Sequence, residues 1–222
     1  MSSQNDNKTH GIDIIRAYEL SWLNLQGKPQ LGVLEITMNP ADVINTITLK
    51  EILDKLNNQS YQDISDVKNV IAKNLTEHYP SFASSDSNIL SIISQQDFNN
   101  DQFFENQNIT GFDYKISQGL RFICEQTDQP FIGTLHLLFS AQAMISQNIS
   151  ADMIRDELLK FRNYKLSPQQ FVSKIFSAIQ NQTNNKFVMS VNLNRRGGIS
   201  YQAIRTDESC DVNKFAYRAI LE

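Results

Sequence analysis

The stretch FICEQTDQPFIG, residues 122–133, holds Cys124, one of two cysteines in the chain. A thiol becomes a nucleophile or a metal ligand when a cation, a helix N-terminus or a base lowers its pKa. The near neighbours Glu125 and Asp128 are anionic and oppose that. Arg121 lies three residues earlier, on the other strand face if side chains alternate. Read from these residues alone, Cys124 is a buried structural thiol. Cys210, in the polar TDESCDV, is incidental.

A second candidate is RRGG, Arg195 to Gly198. Glycines let backbone N–H groups approach an anion, and arginine binds phosphate bidentately. The same residues, set between two strand-like runs, also suit a hairpin turn, and that structural role holds whether or not an anion binds. Lys50, Glu51, Asp54 and Lys55 form i to i+4 charge pairs, as a solvated helix face does. His10, His78 and His136 have no ligand spacing, and two cysteines cannot hold a structural zinc without histidine help, so no metal site is expected. His136 alternates with apolar residues in GTLHLLF, as a structural strand histidine does.

These residues need elements to position them. A chain of 222 residues with 41% hydrophobic and 20% charged residues can bury a core without disulfide staples. The net charge of −4 and the absence of a basic stripe argue against nucleic acid as partner. No apolar run approaches a membrane span, and MSSQNDNKTH is too polar for a signal peptide, so a reducing cytoplasm is the expected location.

Residues 1–10 read as a disordered tail. AYELSWLN and LGVLEITM alternate as strands and flank a turn with breakers Gly27 and Pro29, which predicts a hairpin. Leu49, Ile52, Leu53 and Leu56 recur at helical spacing, and so do Val67, Val70, Ile71 and Leu75, the latter helix capped by Asp63 or Ser65 and stopped by Pro80. SNILSIIS and ITGFDYKISQ are strand-like, separated by the polar QQDFNNDQFFENQN. The order then repeats. GLRFICEQ and GTLHLLFSA are strands, two helices follow with caps Ser150 and Ser167, and KFVMSVNLN and GISYQAIRT flank RRGG. Strand-strand-helix-helix-strand-strand thus occurs twice at a period of roughly 105 residues. Each half is expected to be a four-stranded, mostly antiparallel sheet with two helices on one face, an α+β fold spanning residues 11–100 and 101–222.

YELSWLNLQGKPQ, CEQTDQP, LLKFRNYKLSPQQFVSKIF and NRRGGIS stand in one order and at distances that resemble the NADPH-dependent 7-cyano-7-deazaguanine reductases, nitrile reductases of queuosine biosynthesis. The resemblance runs from about Ile14 to Arg205 and is to the long form with two fused tunnelling-fold halves, this chain being shorter at the N-terminus and between the halves. It implies attack on the nitrile by a cysteine thiolate, here Cys124, followed by two hydride transfers from NADPH. It also shows departures. The proton-donor aspartate position falls on Phe131, leaving Asp128 as the only nearby substitute. The His-Glu pair that holds the base falls on Ser167 and Pro168. The cofactor motif falls on NTITLK, where Lys50 remains and Asn45 and Ile47 do not match, and Arg195, Arg196, Gly197 and Gly198 are intact on the cofactor side.

Three readings follow: a homologue that has lost nitrile reduction and serves as a binding or scaffold protein; an active reductase using Cys124 with a relocated proton donor such as Asp128; or different chemistry in the same pocket, for which no constellation speaks. The first is preferred. NADPH is expected only if the ancestral activity survives, and no cofactor otherwise. Expected partners are a second copy of the chain, in a homodimer or larger assembly, and a purine-like small molecule; no membrane partner is expected.

Overall fold

The computed structural model describes residues 10–84, 88–94, 114–139, 149–183 and 187–206. Residues 1–9 of the expected tail, the polar QQDFNNDQFFENQN and Cys210 lie outside the described residues, and His10, expected to end the tail, instead opens the first strand, where pairing extends the ladder beyond the alternating AYELSWLN. The chain divides into two compact units: Asp13–Gln102 with Arg195–Tyr201, and Met1–Ile12, Phe103–Asn194 and Gln202–Glu222. Among the described residues, no helix is long and apolar enough to cross a membrane.

The first unit opens with the expected hairpin, β1 (His10–Asn24) and β2 (Pro29–Met38), paired antiparallel around Gly27 at φ 72°. Then come α1 (Thr46–Asp54), β3 (Ser60–Tyr61), α2 (Ile64–His78), the short α3 (Pro80–Ser84) and β4 (Ile89–Ser94). The strand order is β4-β2-β1. Asn45 caps α1, accepting from the Ile47 N–H at 2.8 Å, so the helix starts three residues before the Leu49 stripe that marked it in sequence. Asp63 caps α2, accepting from the Ser65 and Asp66 N–H groups at 2.7 and 3.1 Å. The stripes Leu49, Ile52, Leu53 and Val67, Ile71, Leu75 are buried, and Trp22 is a core residue.

The second unit contains β5 (Tyr114–Cys124), β6 (Pro130–Phe139), α4 (Ala151–Phe161), β7 (Lys165–Leu166), α5 (Pro168–Thr183), and the larger parts of β8 (Phe187–Arg196) and β9 (Ile199–Thr206). Its order is β8-β6-β5-β7. Ser150 caps α4 through the Met153 N–H at 3.2 Å. At α5, Ser167 Oγ accepts from Gln170 N–H at 3.2 Å while Gln170 Oε1 accepts from Ser167 N–H at 3.0 Å, a reciprocal capping box with Pro168 at the first helical position.

One expected boundary is corrected. ITGFDYKISQ and GLRFICEQ were to be separate strands divided at Gly119, yet Tyr114–Cys124 is continuous. The antiparallel pairing to β6 runs unbroken through Gly119 opposite Thr134, so the ladder bonds outweigh the glycine's weak strand preference.

The α+β expectation with a mostly antiparallel sheet holds, and the repeat is sharper than sequence suggested. In each unit two hairpin strands are followed by a helix, a two-residue strand, a second helix and a further strand. The two-residue strand pairs parallel with the end of the first strand in both: β3 with Leu23 and Asn24, β7 with Ile123 and Cys124. The bonds correspond, Leu23 N–H to Gln59 O at 2.9 Å and Ile123 N–H to Tyr164 O at 2.9 Å.

In the second unit, Ile116, Leu120, Phe122 and Cys124 share one buried sheet face with Leu135, Leu137 and Phe139. Helix α5 covers that face, and Phe122 stacks on Phe171 at 4.3 Å between centroids and 7° between planes. Phe122 is fully buried at the centre of this layer. Phe122→Ala is expected to lower the unfolding free energy by about 3–5 kcal/mol, read as a reduced urea midpoint at unchanged slope.

Candidate functional site

Cys124 ends β5, and its backbone is held from two sides. Its N–H donates to Gln129 O at 2.8 Å, its carbonyl accepts from Asp128 N–H at 3.0 Å, and it stands opposite Leu166 of β7. The corresponding bond in the first unit, Asn24 N–H to Lys28 O at 2.9 Å, closes the β1–β2 turn. The cysteine loop is therefore the second copy of a hairpin turn.

The thiol residue is only 8% exposed and faces the helix-covered side with Phe122. Phe131 lies directly across from Phe122 in the ladder, and the two rings stack at 5.0 Å and 30°. Phe131, Phe122 and Phe171 form one continuous aromatic run beside the thiol's strand end. Asp128 takes a left-handed conformation, φ 55°, and its carboxylate pairs with Lys165 Nζ at 2.6 Å; both side chains are well exposed, 68% and 62%. Arg121 is engaged elsewhere, donating to Arg162 O at 3.0 Å and Asn163 Oδ1 at 3.3 Å. His136 lies on the opposite sheet face from Cys124, in the ladder position facing Ser117, whose Oγ is 2.8 Å from His136 Nδ1. Burial, and then the charge of Lys115, lower the His136 pKa from 6.5 to about 4. Ser167 and Pro168 are used at the start of α5.

The other candidate residues come together in the first unit. Gly197 and Gly198 form the tip of the β8–β9 hairpin at φ 52° and 77°, the geometry of a two-residue hairpin turn with both central residues left-handed. The hairpin reading of RRGG is the observed one. Lys50, from α1, brings its ammonium against Gly197, where a Cβ would collide with Nζ. The Arg195 guanidinium lies 4.7 Å over the Tyr18 ring and reaches Glu19 Oε1 at 3.5 Å. Tyr18 binds the turn twice, N–H to Gly198 O at 2.9 Å and hydroxyl to Ser200 Oγ at 3.0 Å. Arg196 is half-buried.

Sequence reading missed Tyr18 and Glu19. In β1, Tyr18 and Glu19 together face the single Val33 of β2, a β-bulge between Ala17 and Leu20. A bulge re-aims the side chains it carries. Here it leaves Glu19 exposed beside the turn, with its carboxylate where a Cβ on Gly198 would be. Lys50 and Arg195 present cations at a turn without side chains, with the Glu19 carboxylate beside them. Among the described residues, no cluster of three or more His, Cys, Asp or Glu could hold a metal.

The duplicated hairpin-and-helix units, with a cysteine at one strand end and a basic diglycine turn, define a class of α+β proteins built by internal repetition. Residues 2–83 match the family described as nitrile reductase, 7-cyano-7-deazaguanine-reductase N-term. Over 90% of this chain and 79% of the relative, it is 24% identical to an NADPH-dependent 7-cyano-7-deazaguanine reductase of Rickettsia bellii. A reductase of the same name from Cupriavidus taiwanensis is 25% identical over 89% of this chain and 78% of its own, and one from Legionella pneumophila 24% over 93% and 79%. The chain is thus similar to 7-cyano-7-deazaguanine reductases over most of its length, and its first 83 residues carry the match to the N-terminal model of that family.

Gly198→Ala is expected to destabilise the protein more than Gly27→Ala. Both positions have positive φ, a strain of about 1–2 kcal/mol for an added Cβ. Gly27 has open space around it, whereas Gly198 meets the Glu19 carboxylate. Parallel urea titrations of the two variants check the order.

Proposed function

We propose that this chain is a 7-cyano-7-deazaguanine reductase homologue that no longer reduces the nitrile and acts as a binding or scaffold protein on a tandem tunnelling fold, with halves 11–100 and 101–222. The observation that carries this reading is Phe131, packed against Phe122 at the position where the resemblance calls for a proton donor. Attack of a thiol on a nitrile forms an S–C bond and moves a proton to the nitrogen, giving a thioimide. That requires a group beside the sulfur able to take and return a proton. A phenyl ring cannot do this at any pH. Ser167 and Pro168, at the start of α5, stand where the resemblance places the His-Glu pair and offer no charged contact to the polar edge of a base, and a site deprived of such hydrogen bonds discriminates worse by a factor on the order of 10⁴.

Lys50, Arg195, Gly197 and Gly198 retain the character of a phosphate cradle, so they would hold the phosphate-bearing part of NADPH, whose chemistry is hydride donation. Glu19 opposes an anion there and lowers the expected affinity. A purine-like ligand, self-association into a homodimer or larger, and a cytoplasmic setting complete the proposal.

The alternative, an active reductase with Cys124 as nucleophile and Asp128 as proton donor, draws support from the preserved cysteine turn and from relatives that carry the reductase name over most of this chain. Asp128 would have to leave Lys165 and turn inward to serve it. Incubation with 7-cyano-7-deazaguanine should leave the intact mass unchanged, and NADPH absorbance should not fall at high protein concentration. A mass increase equal to the nitrile, absent in Cys124→Ala, would establish the alternative instead.

A further inference from the structure

Consecutive side chains of a regular strand point to opposite faces. The bulge in β1 breaks that alternation, and Tyr18 and Glu19 together oppose Val33. Both then serve one place, the Gly197–Gly198 tip of the β8–β9 hairpin. Tyr18 fixes it: its N–H donates to Gly198 O at 2.9 Å, and its ring carries the Arg195 guanidinium at 4.7 Å. Glu19 fills it: its carboxylate stands where a Cβ on Gly198 would be, while the Lys50 ammonium stands where a Cβ on Gly197 would be. Glu19, Lys50 and the Arg195–Ser200 turn belong to one compact unit. Two cations and a carboxylate thus share a turn tip that has no side chains of its own.

We propose that Glu19 is a built-in competing anion: its carboxylate occupies the diglycine turn in place of a ligand's phosphate, and an anionic ligand binds there by displacing it. On the reading of Lys50, Arg195, Gly197 and Gly198 as a phosphate cradle, on which this rests, the cradle is self-occupied until a stronger anion arrives. The contact is weak enough to yield. Glu19 Oε1 and Arg195 Nη2 are 3.5 Å apart, and the two side chains are 68% and 42% exposed. A tight charge-assisted bond is shorter, about 2.7–2.9 Å. An exposed pair of this kind contributes little to stability, so Glu19 swings off the turn at small cost. While it stays, it offsets one of the two positive charges of Lys50 and Arg195; once it leaves, both face the ligand. A ligand carrying several negative charges therefore displaces Glu19 more readily than a monoanion does, because each further charge adds to its attraction for the two cations.

Glu19→Gln keeps the shape of the side chain and removes its charge. Inorganic phosphate titrated at constant ionic strength, and followed by the Gly197 and Gly198 amide resonances, should bind about tenfold tighter to Glu19→Gln than to the wild type. Adding Lys50→Ala to Glu19→Gln should remove most of that gain. Glu19→Ala, with the same expected gain, serves if Glu19→Gln does not fold. Equal phosphate affinity in wild type and variant overturns the competing anion and leaves the cradle standing. Phosphate that binds to neither protein overturns both.

Discussion

The two-residue parallel pairing at the end of each unit's first strand is the constraint on which the rest depends. A strand end that leaves a sheet edge exposes N–H and C=O groups that must find partners. Here β3 and β7 supply them, and because each lies between two helices, each also sets where the helix pair crosses the sheet. In the second unit this pairing fixes Ile123 and Cys124 against Lys165 and Leu166. It therefore determines the position of the thiol, the reach of Lys165 to Asp128, and the approach of Phe171 to Phe122.

Chemistry at Cys124 is governed by that arrangement. The loop backbone is closed by hydrogen bonds, and the cysteine is buried on the sheet face that carries Phe122. Three groups able to carry charge or protons are engaged elsewhere: Asp128 outward to Lys165, Arg121 to the end of α4, His136 on the other sheet face. In the first unit the balance differs. A bulge turns Tyr18 and Glu19 towards the diglycine turn, so the same hairpin architecture there gathers Lys50, Arg195 and Glu19 at the surface. One repeated frame thus carries a buried thiol in one copy and an exposed charge cluster in the other.

Much of the frame was legible in the sequence. The apolar spacing of Leu49 to Leu56 and Val67 to Leu75, the caps Asp63, Ser150 and Ser167, and the diglycine turn report local preferences that operate within a few residues, and they appear as expected. Gly119 misled because a strand-breaking tendency of about 0.5–1 kcal/mol is outweighed by pairing to a distant strand. The parallel clamps β3 and β7 were invisible because two residues carry no period. The partnership of Tyr18 and Glu19 with the turn was likewise hidden, since a bulge changes register without changing the apolar pattern.

The amino-acid sequence by itself determined the element types, the repeat and the resemblance to the nitrile reductases, because periodicity, capping and turn chemistry are properties of neighbouring residues. Only the tertiary structure decided that Phe131 joins an aromatic stack, that Asp128 is bound to Lys165, and that Lys50 and the RRGG turn meet. Those are contacts between residues far apart in the chain, and sheet register and helix docking, which no local pattern encodes, bring them together.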